Sequence, residues 1–133
     1  MREKLHRGLA KLNIEYTSDQ LDKIDKFYEY LVKKNEVMNL TRITDKEEFY
    51  VKHILDSLLI TKFVDLNNQY ILDLGTGAGF PGVPLKIFFP DTDMILIDSV
   101  NKKLSFINDV IKALGLKKNP NSSWQGRTAW SGS

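Results

Sequence analysis

Three glycines at alternate positions, Gly75, Gly77 and Gly79, follow the apolar run Tyr70-Ile71-Leu72-Asp73-Leu74. A strand that runs into such a turn brings its backbone close to a ligand, because glycine accepts the tight turn and puts no Cβ in the way. The amides that open the next helix face the same space. A second apolar run, Met94 to Ile97, closes on Asp98, 23 residues after Gly75. There an acidic side chain accepts hydrogen bonds from the ribose hydroxyls of an adenosine. Two cofactor chemistries use this layout. Dinucleotide sites use G-x-G-x-x-G, which Gly77, Gly79 and Gly82 match literally; but the turn begins at Gly75, and in that frame the last position is Phe80. S-adenosylmethionine sites use an acid at the strand end and then G-x-G-x-G, here Asp73, Gly75, Gly77 and Gly79. The second frame fits the turn as it stands. A glycine-rich turn without a ligand is the plain alternative.

The remaining chemistry is sparse. His53 and Asp56 are three apart on one helical face, next to Lys52. They read either as part of a cleft or RNA surface, or as a hydrogen-bonded interface pair. The chain has no cysteine, which excludes disulfides and thiolate metal sites, and its two histidines, His6 and His53, make no metal cluster expected.

The elements that must carry these residues follow from periodicity. Leu5, Leu9 and Leu12 predict a short helix over 2–12. Thr17 to Gln20 matches a capping box and opens a helix over 18–35, with Leu21, Ile24, Phe27, Tyr28, Leu31 and Val32 as its apolar stripe. A second box, Thr44 to Glu47, predicts a helix through about Lys62 that buries Phe49, Ile54, Leu58 and Val51. Buried parallel strands are expected at 70–74 and 94–97. Helices are expected over 80–89, with Pro81 and Pro84 in the first turn, and over 101–114, where Gly115 stops the chain. This is a run of helices and then β-loop-α-β-α, the start of a doubly wound sheet.

With 133 residues, 42% hydrophobic and 27% charged, the composition is that of one small globular domain. Charges interrupt every long apolar stretch and stud the first twenty residues, so neither a membrane span nor a signal peptide is expected, and the cytoplasm is the default. The net charge of +2 looks like an invitation to nucleic acid. It comes from 117–133, which hold Lys117, Lys118 and Arg127 and no acid; the rest has 16 basic against 17 acidic residues. Charge alone is therefore no evidence for RNA binding by the body of the chain.

The segment from ILDLGTGAGFPGVPLKIFFPDTDMILIDSVNKKLSFI, with the upstream NLTRI and HILDSL, strongly resembles the bacterial small-subunit ribosomal RNA methyltransferase G family, also called glucose-inhibited division protein B. The resemblance covers roughly residues 15–116, and its G-x-G-x-G-F-P-G stretch is more specific than a generic glycine turn. It implies an α/β class I (Rossmann-like) methyltransferase fold, here N-terminal helices followed by the first β-α-β-α units, with the C-terminal half missing. It implies methyl transfer from S-adenosylmethionine to N7 of a guanine in 16S rRNA, with the small ribosomal subunit as partner. By position, Gly75 and Phe80 would contact the cofactor and Asp98 would hold its ribose. Asn39, Thr41 and Arg42 match a family motif in a loop, for RNA, for the active site, or for fixing the loop itself. Two other functions stay open: a non-catalytic RNA- or ribosome-binding module, and an NAD-dependent oxidoreductase.

The expected organisation is a helical region over 1–65, the start of the cofactor domain over 66–116, and a non-native tail over 117–133. The tail has no strand or helix period and reads as unstructured. In the family the third strand leads into Gly-Arg-Ala-Glu. Codons for Trp124 to Arg127 can give that string when read one base later, with the glycine forced and the arginine one of two options. A frameshift after the lysine codons at 117–118 is thus one expectation, and an unrelated cloning tail is the other. An inactive fragment that self-associates, by pairing of its uncovered strand edge or by helix exchange, completes the reading.

Overall fold

A computed structural model describes residues 2–38, 45–67, 70–116 and 125–127. The helical layer begins with α1, Glu3–Lys11, which buries Leu5 and Leu9. Helix α2, Ser18–Met38, starts at the expected box: Thr17 Oγ1 accepts from Gln20 N at 3.1 Å, and Gln20 Oε1 accepts from Thr17 N at 2.9 Å. Leu21, Ile24, Phe27 and Leu31 are buried as their spacing requires, whereas Val32, at the margin of the stripe, is exposed.

The next helix, expected to run unbroken to about Lys62, changes its winding along the way. Its cap is Asp45, whose Oδ1 accepts from Glu48 N at 2.8 Å; Thr44 lies outside the described residues. Helix α3, Lys46–Glu48, passes into a π-helical segment, Phe49–Leu55, and on to a 3-10 segment, Leu58–Lys62. The apolar residues explain the wider turn. Phe49 and Ile54 are five apart, the spacing that a π turn closes, and Phe49, Tyr50 and Ile54 are all fully buried. Val51, expected inside, is 40% exposed.

A charged cluster ties this layer together. Asp25 of α2 accepts from Arg2 at 2.6 Å and from the Tyr50 hydroxyl at 2.5 Å, and Lys46 Nζ lies 3.3 Å away. Burial pushes the Asp25 carboxyl up, but these partners outweigh it and hold the group below the usual carboxylate range. Burial and the Asp25 bond push the Tyr50 phenol up.

The sheet has parallel strands in the order β1-β2-β3: Tyr70–Leu74, Asp93–Ile97 and Gln125–Arg127. Strand β3 corrects the expected unstructured tail. A three-residue strand needs only backbone groups to pair with the free edge of β2, so no side-chain period announces it. The rest of the tail, 117–124 and 128–133, lies outside the described residues. Helix α4, Gly82–Phe88, is shorter than the expected 80–89, with Pro81 at its N-cap. Helix α5, Asn101–Leu114, buries Leu104, Ile107, Ile111 and Leu114 and ends at Gly115 with φ +61°. Helix α2 packs on both α4 and α5. Met94 and Leu96 on one sheet face are fully buried, while Leu72, level with Ile95 on the other, is 53% exposed.

Candidate functional site

The glycine turn sits at the C-terminal ends of β1 and β2. Its backbone is fastened to β2, since the N–H groups of Gly75 and Thr76 both donate to the Ile97 carbonyl, at 2.7 and 3.1 Å. Gly75, Gly77 and Gly79 all have positive φ, at +70°, +59° and +104°, where any other residue is strained. A Cβ built on Gly75 or Gly77 would meet no protein atom within 4 Å. These two glycines therefore border open space, as backbone that approaches a ligand must. Gly79 differs, because a Cβ there would meet Val83 Cγ2 at 2.6 Å. It serves the close seating of α4.

Two carboxylates hold the turn. Asp98, at the end of β2, is 7% exposed; its Oδ2 accepts from Gly77 N and its Oδ1 from Val100 N, both at 2.9 Å. The second bond is an Asx turn that leads into α5. A carboxylate offers about four acceptor positions, so about two remain for a ligand. Asp73 of β1 is buried, and its Oδ2 accepts from Gly82 N at 3.1 Å, which fastens the far end of the turn to the start of α4. Burial pushes the Asp73 carboxyl up, the Thr76 hydroxyl and the Gly82 amide pull it down, and the charge of Asp98 adds to the rise. Thr76 Oγ1 is itself buried with no partner in hydrogen-bonding geometry among the described residues.

Phe80 leaves the turn for the helical layer. Its ring centroid lies 5.4 Å from that of Phe27, 6.3 Å from Phe49 and 5.1 Å from His53. The Phe80–Pro81 peptide bond is cis.

The expected residues thus divide. Asp73, Gly75, Gly77, Gly79, Phe80 and Asp98 come together around one turn, and His53 joins them through Phe80. Asp56 does not share that place. It is exposed and lines a small groove with Gly8, Leu55, Val51 and Leu59. The π-helical segment is the cause, because each of its residues advances by less than the α-helical angle and the expected common face is lost. Asn39, Thr41 and Arg42 lie outside the described residues. Three participants were not foreseen: the buried Thr76 hydroxyl beside Asp73, the seating role of Gly82, and the aromatic cluster around Phe80. The literal match of Gly82 to a third fingerprint glycine was the one available signal.

The fold and the turn define a helix-rich α/β protein whose short parallel sheet is consistent with the N-terminal part of a Rossmann-like methyltransferase. The sequence pattern of the family described as rRNA small subunit methyltransferase G matches residues 20–120. The chain belongs to that family. It is 59% identical over 97 residues to ribosomal RNA small subunit methyltransferase G of Mesoplasma florum, covering 73% of this chain and 41% of the relative. The same-named proteins of Lachnoclostridium phytofermentans and Bacillus licheniformis are 46% and 44% identical, over 84% and 86% of this chain and 46% and 48% of theirs. The chain spans somewhat under half the length of these curated relatives.

Proposed function

We propose that this chain forms the S-adenosylmethionine-binding part of an rRNA methyltransferase that acts on N7 of a guanine in 16S rRNA of the small ribosomal subunit. The observation that carries the reading is the open space over two left-handed glycines, at a turn that Asp98 ties to the end of β2. Asp98 would hold the ribose, Gly75 and Gly77 would let the backbone close on the cofactor, Phe80 would contact it, and Asp73 would keep Gly82 and the start of α4 in place. When bound, the cofactor supplies an electrophilic methyl group. Guanine N7 has a lone pair and no proton to remove, so alignment and exclusion of water suffice, and no general base is required of these residues. The loop with Asn39, Thr41 and Arg42 is proposed for RNA. The cytoplasm, where rRNA is modified, is the proposed location.

Gly82 favours a second reading strongly enough to be tested. It gives the close helix–strand contact that the third glycine gives in dinucleotide sites. Calorimetry with S-adenosylhomocysteine and with NAD separates the two. The expected result is binding of S-adenosylhomocysteine alone, weakened about tenfold or more in Asp98→Ala because a charge-assisted hydrogen bond is lost. Binding of NAD alone, or unchanged affinity in the variant, refutes the assignment.

We also propose self-association with a second copy of the chain. Among the described residues β1 pairs on one side only, and Leu72 beside that free edge is 53% exposed. Sedimentation velocity is expected to show a dimer or larger species; a monomer at micromolar concentration refutes this.

A further inference from the structure

Phe80 is the one residue of the glycine turn whose ring lies in the helical layer. Two of its ring neighbours, Phe27 and Phe49, are fully buried and belong to the core. The third, His53, is only partly buried, and its ring lies 5.1 Å from Phe80 at an interplanar angle of 33°. His53 also lies 6.1 Å from Phe49. It is carried by the π-helical segment, a rare geometry that recurs where a helix presents a functional side chain. Phe80 is tied in turn to the glycine loop, since its N–H donates to the Thr76 carbonyl at 3.1 Å, next to Gly77.

We infer that His53 is a positioning residue for the cofactor turn: its imidazole packs on Phe80, fixes that ring, and through Phe80 holds the backbone at Thr76 and Gly77 in the shape that receives an adenosyl cofactor. The inference rests on the proposed reading of the turn. A half-buried imidazole suits the place. One flat face meets the phenyl ring in a tilted contact, while part of the residue's surface stays exposed. Losing that contact frees Phe80 on the partly exposed side while Phe27 and Phe49 still hold the core.

The test is calorimetric titration of the 133-residue chain with S-adenosylhomocysteine, in parallel with urea unfolding. His53→Gln, polar but without an aromatic face, is expected to weaken binding about fivefold, as one lost aromatic contact allows. His53→Phe is expected to bind within twofold of the parent. Phe80→Leu should weaken binding as well, and the His53→Gln/Phe80→Leu pair should be no worse than Phe80→Leu alone, since both remove one contact. The urea midpoint of His53→Gln should stay close to that of the parent. If the parent binds and His53→Gln binds equally well, the inference falls and the cofactor reading stands. If His53→Phe is as weak as His53→Gln, the ring contact is not the cause and the inference falls. Strict additivity of the pair also overturns it. A parent that binds no S-adenosylhomocysteine overturns both the inference and the reading beneath it.

Discussion

Gly82 is buried at the start of α4, and its backbone angle is an ordinary one, so a substitution there is a question of space alone. A Cβ would stand 2.5 Å from Leu96 Cδ2 and 3.0 Å from Asp73 Oδ2. Carbon atoms in contact prefer about 3.5–4.0 Å, so the first distance is short by at least about 1 Å. Leu96 is fully buried in β2 and has little room to turn away. The alternative is for the first turn of α4 to lift off the sheet. A lift of about 1 Å would stretch the 3.1 Å bond from Gly82 N to Asp73 beyond hydrogen-bonding range. Overpacking costs about 1–3 kcal/mol, and a hydrogen bond to a buried carboxyl contributes about 1–3 kcal/mol. The two are alternatives in part, because yielding to one relieves the other. Gly82→Ala is therefore expected to lose about 2–4 kcal/mol, a large share of the 5–15 kcal/mol typical of a domain. Urea unfolding followed by circular dichroism measures it. Leu96→Val removes the methyl that the new Cβ would strike, so the double variant should be at least about 1 kcal/mol more stable than the sum of the single effects. A Gly82→Ala variant within about 0.5 kcal/mol of the parent, or strict additivity with Leu96→Val, would refute the close seating of α4 on β2.

Gly77→Val should abolish S-adenosylhomocysteine binding in calorimetry while the chain stays folded by circular dichroism: a Cβ there meets no protein atom within 4 Å, and the strain at φ +59° costs only about 1–3 kcal/mol. Retained binding would show that the turn does not approach the cofactor. The depressed Asp25 carboxyl makes stability acid-sensitive. Its contribution is fully present above its unfolded value, near about 3.9, and is lost as pH falls through the lower folded value. Asp25→Asn should flatten the acid limb of Tm against pH, and an unchanged limb would count against the cluster with Arg2, Tyr50 and Lys46. Lys86 is 1% exposed and donates to the carbonyls of Pro90 at 2.7 Å and Thr92 at 2.5 Å. Lys86→Met should lower stability by about 2–3 kcal/mol in urea unfolding, because it strips both carbonyls of a charged donor; a neutral outcome would mean water replaces the ammonium.

Local codes carried far in this chain, and non-local contacts did not. The Thr17–Gln20 box, the inward face of α5 and its Gly115 stop are written in short-range sequence and are realised, and so is the stripe of α2 from Leu21 to Leu31, Val32 excepted. The turn residues Asp73 to Phe80 and Asp98 were legible for the same reason, since strand, glycines and acid come in a fixed local order. The π-helical segment was not. An apolar pattern of Phe49, Val51, Ile54 and Leu58 reads as one helix until the partners that bury it are known. Strand β3 was hidden because it borrows its pairing from the edge of β2. The contact between His53 and Phe80 joins residues 27 apart, a separation at which no periodicity speaks.

The two acids of the turn share a consequence for how its affinity is measured. Three left-handed glycines in five residues give an unfolded loop a great deal of freedom to lose. Asp73 removes it at the exit by holding Gly82 N, and Asp98 removes it in the middle by holding Gly77 N. The side chain proposed to receive a ribose is thus also a strut of the turn proposed to receive the rest of the cofactor. Asp98→Ala takes away both, so its effect on affinity combines a lost ligand contact with a turn that must be ordered during binding. Asp98→Asn divides them. The amide keeps one oxygen to accept from Gly77 N, but its NH2 cannot accept from Val100 N, so it gives up that bond together with the charge that strengthens a bond to a hydroxyl. Affinity in Asp98→Asn should therefore lie between that of the parent and that of Asp98→Ala. If Asn and Ala variants bind alike, holding Gly77 N alone does not sustain affinity, and the charge together with the Val100 bond carries it. If Asn matches the parent, Asp98 acts by holding Gly77 and has no charge-assisted contact with the ligand.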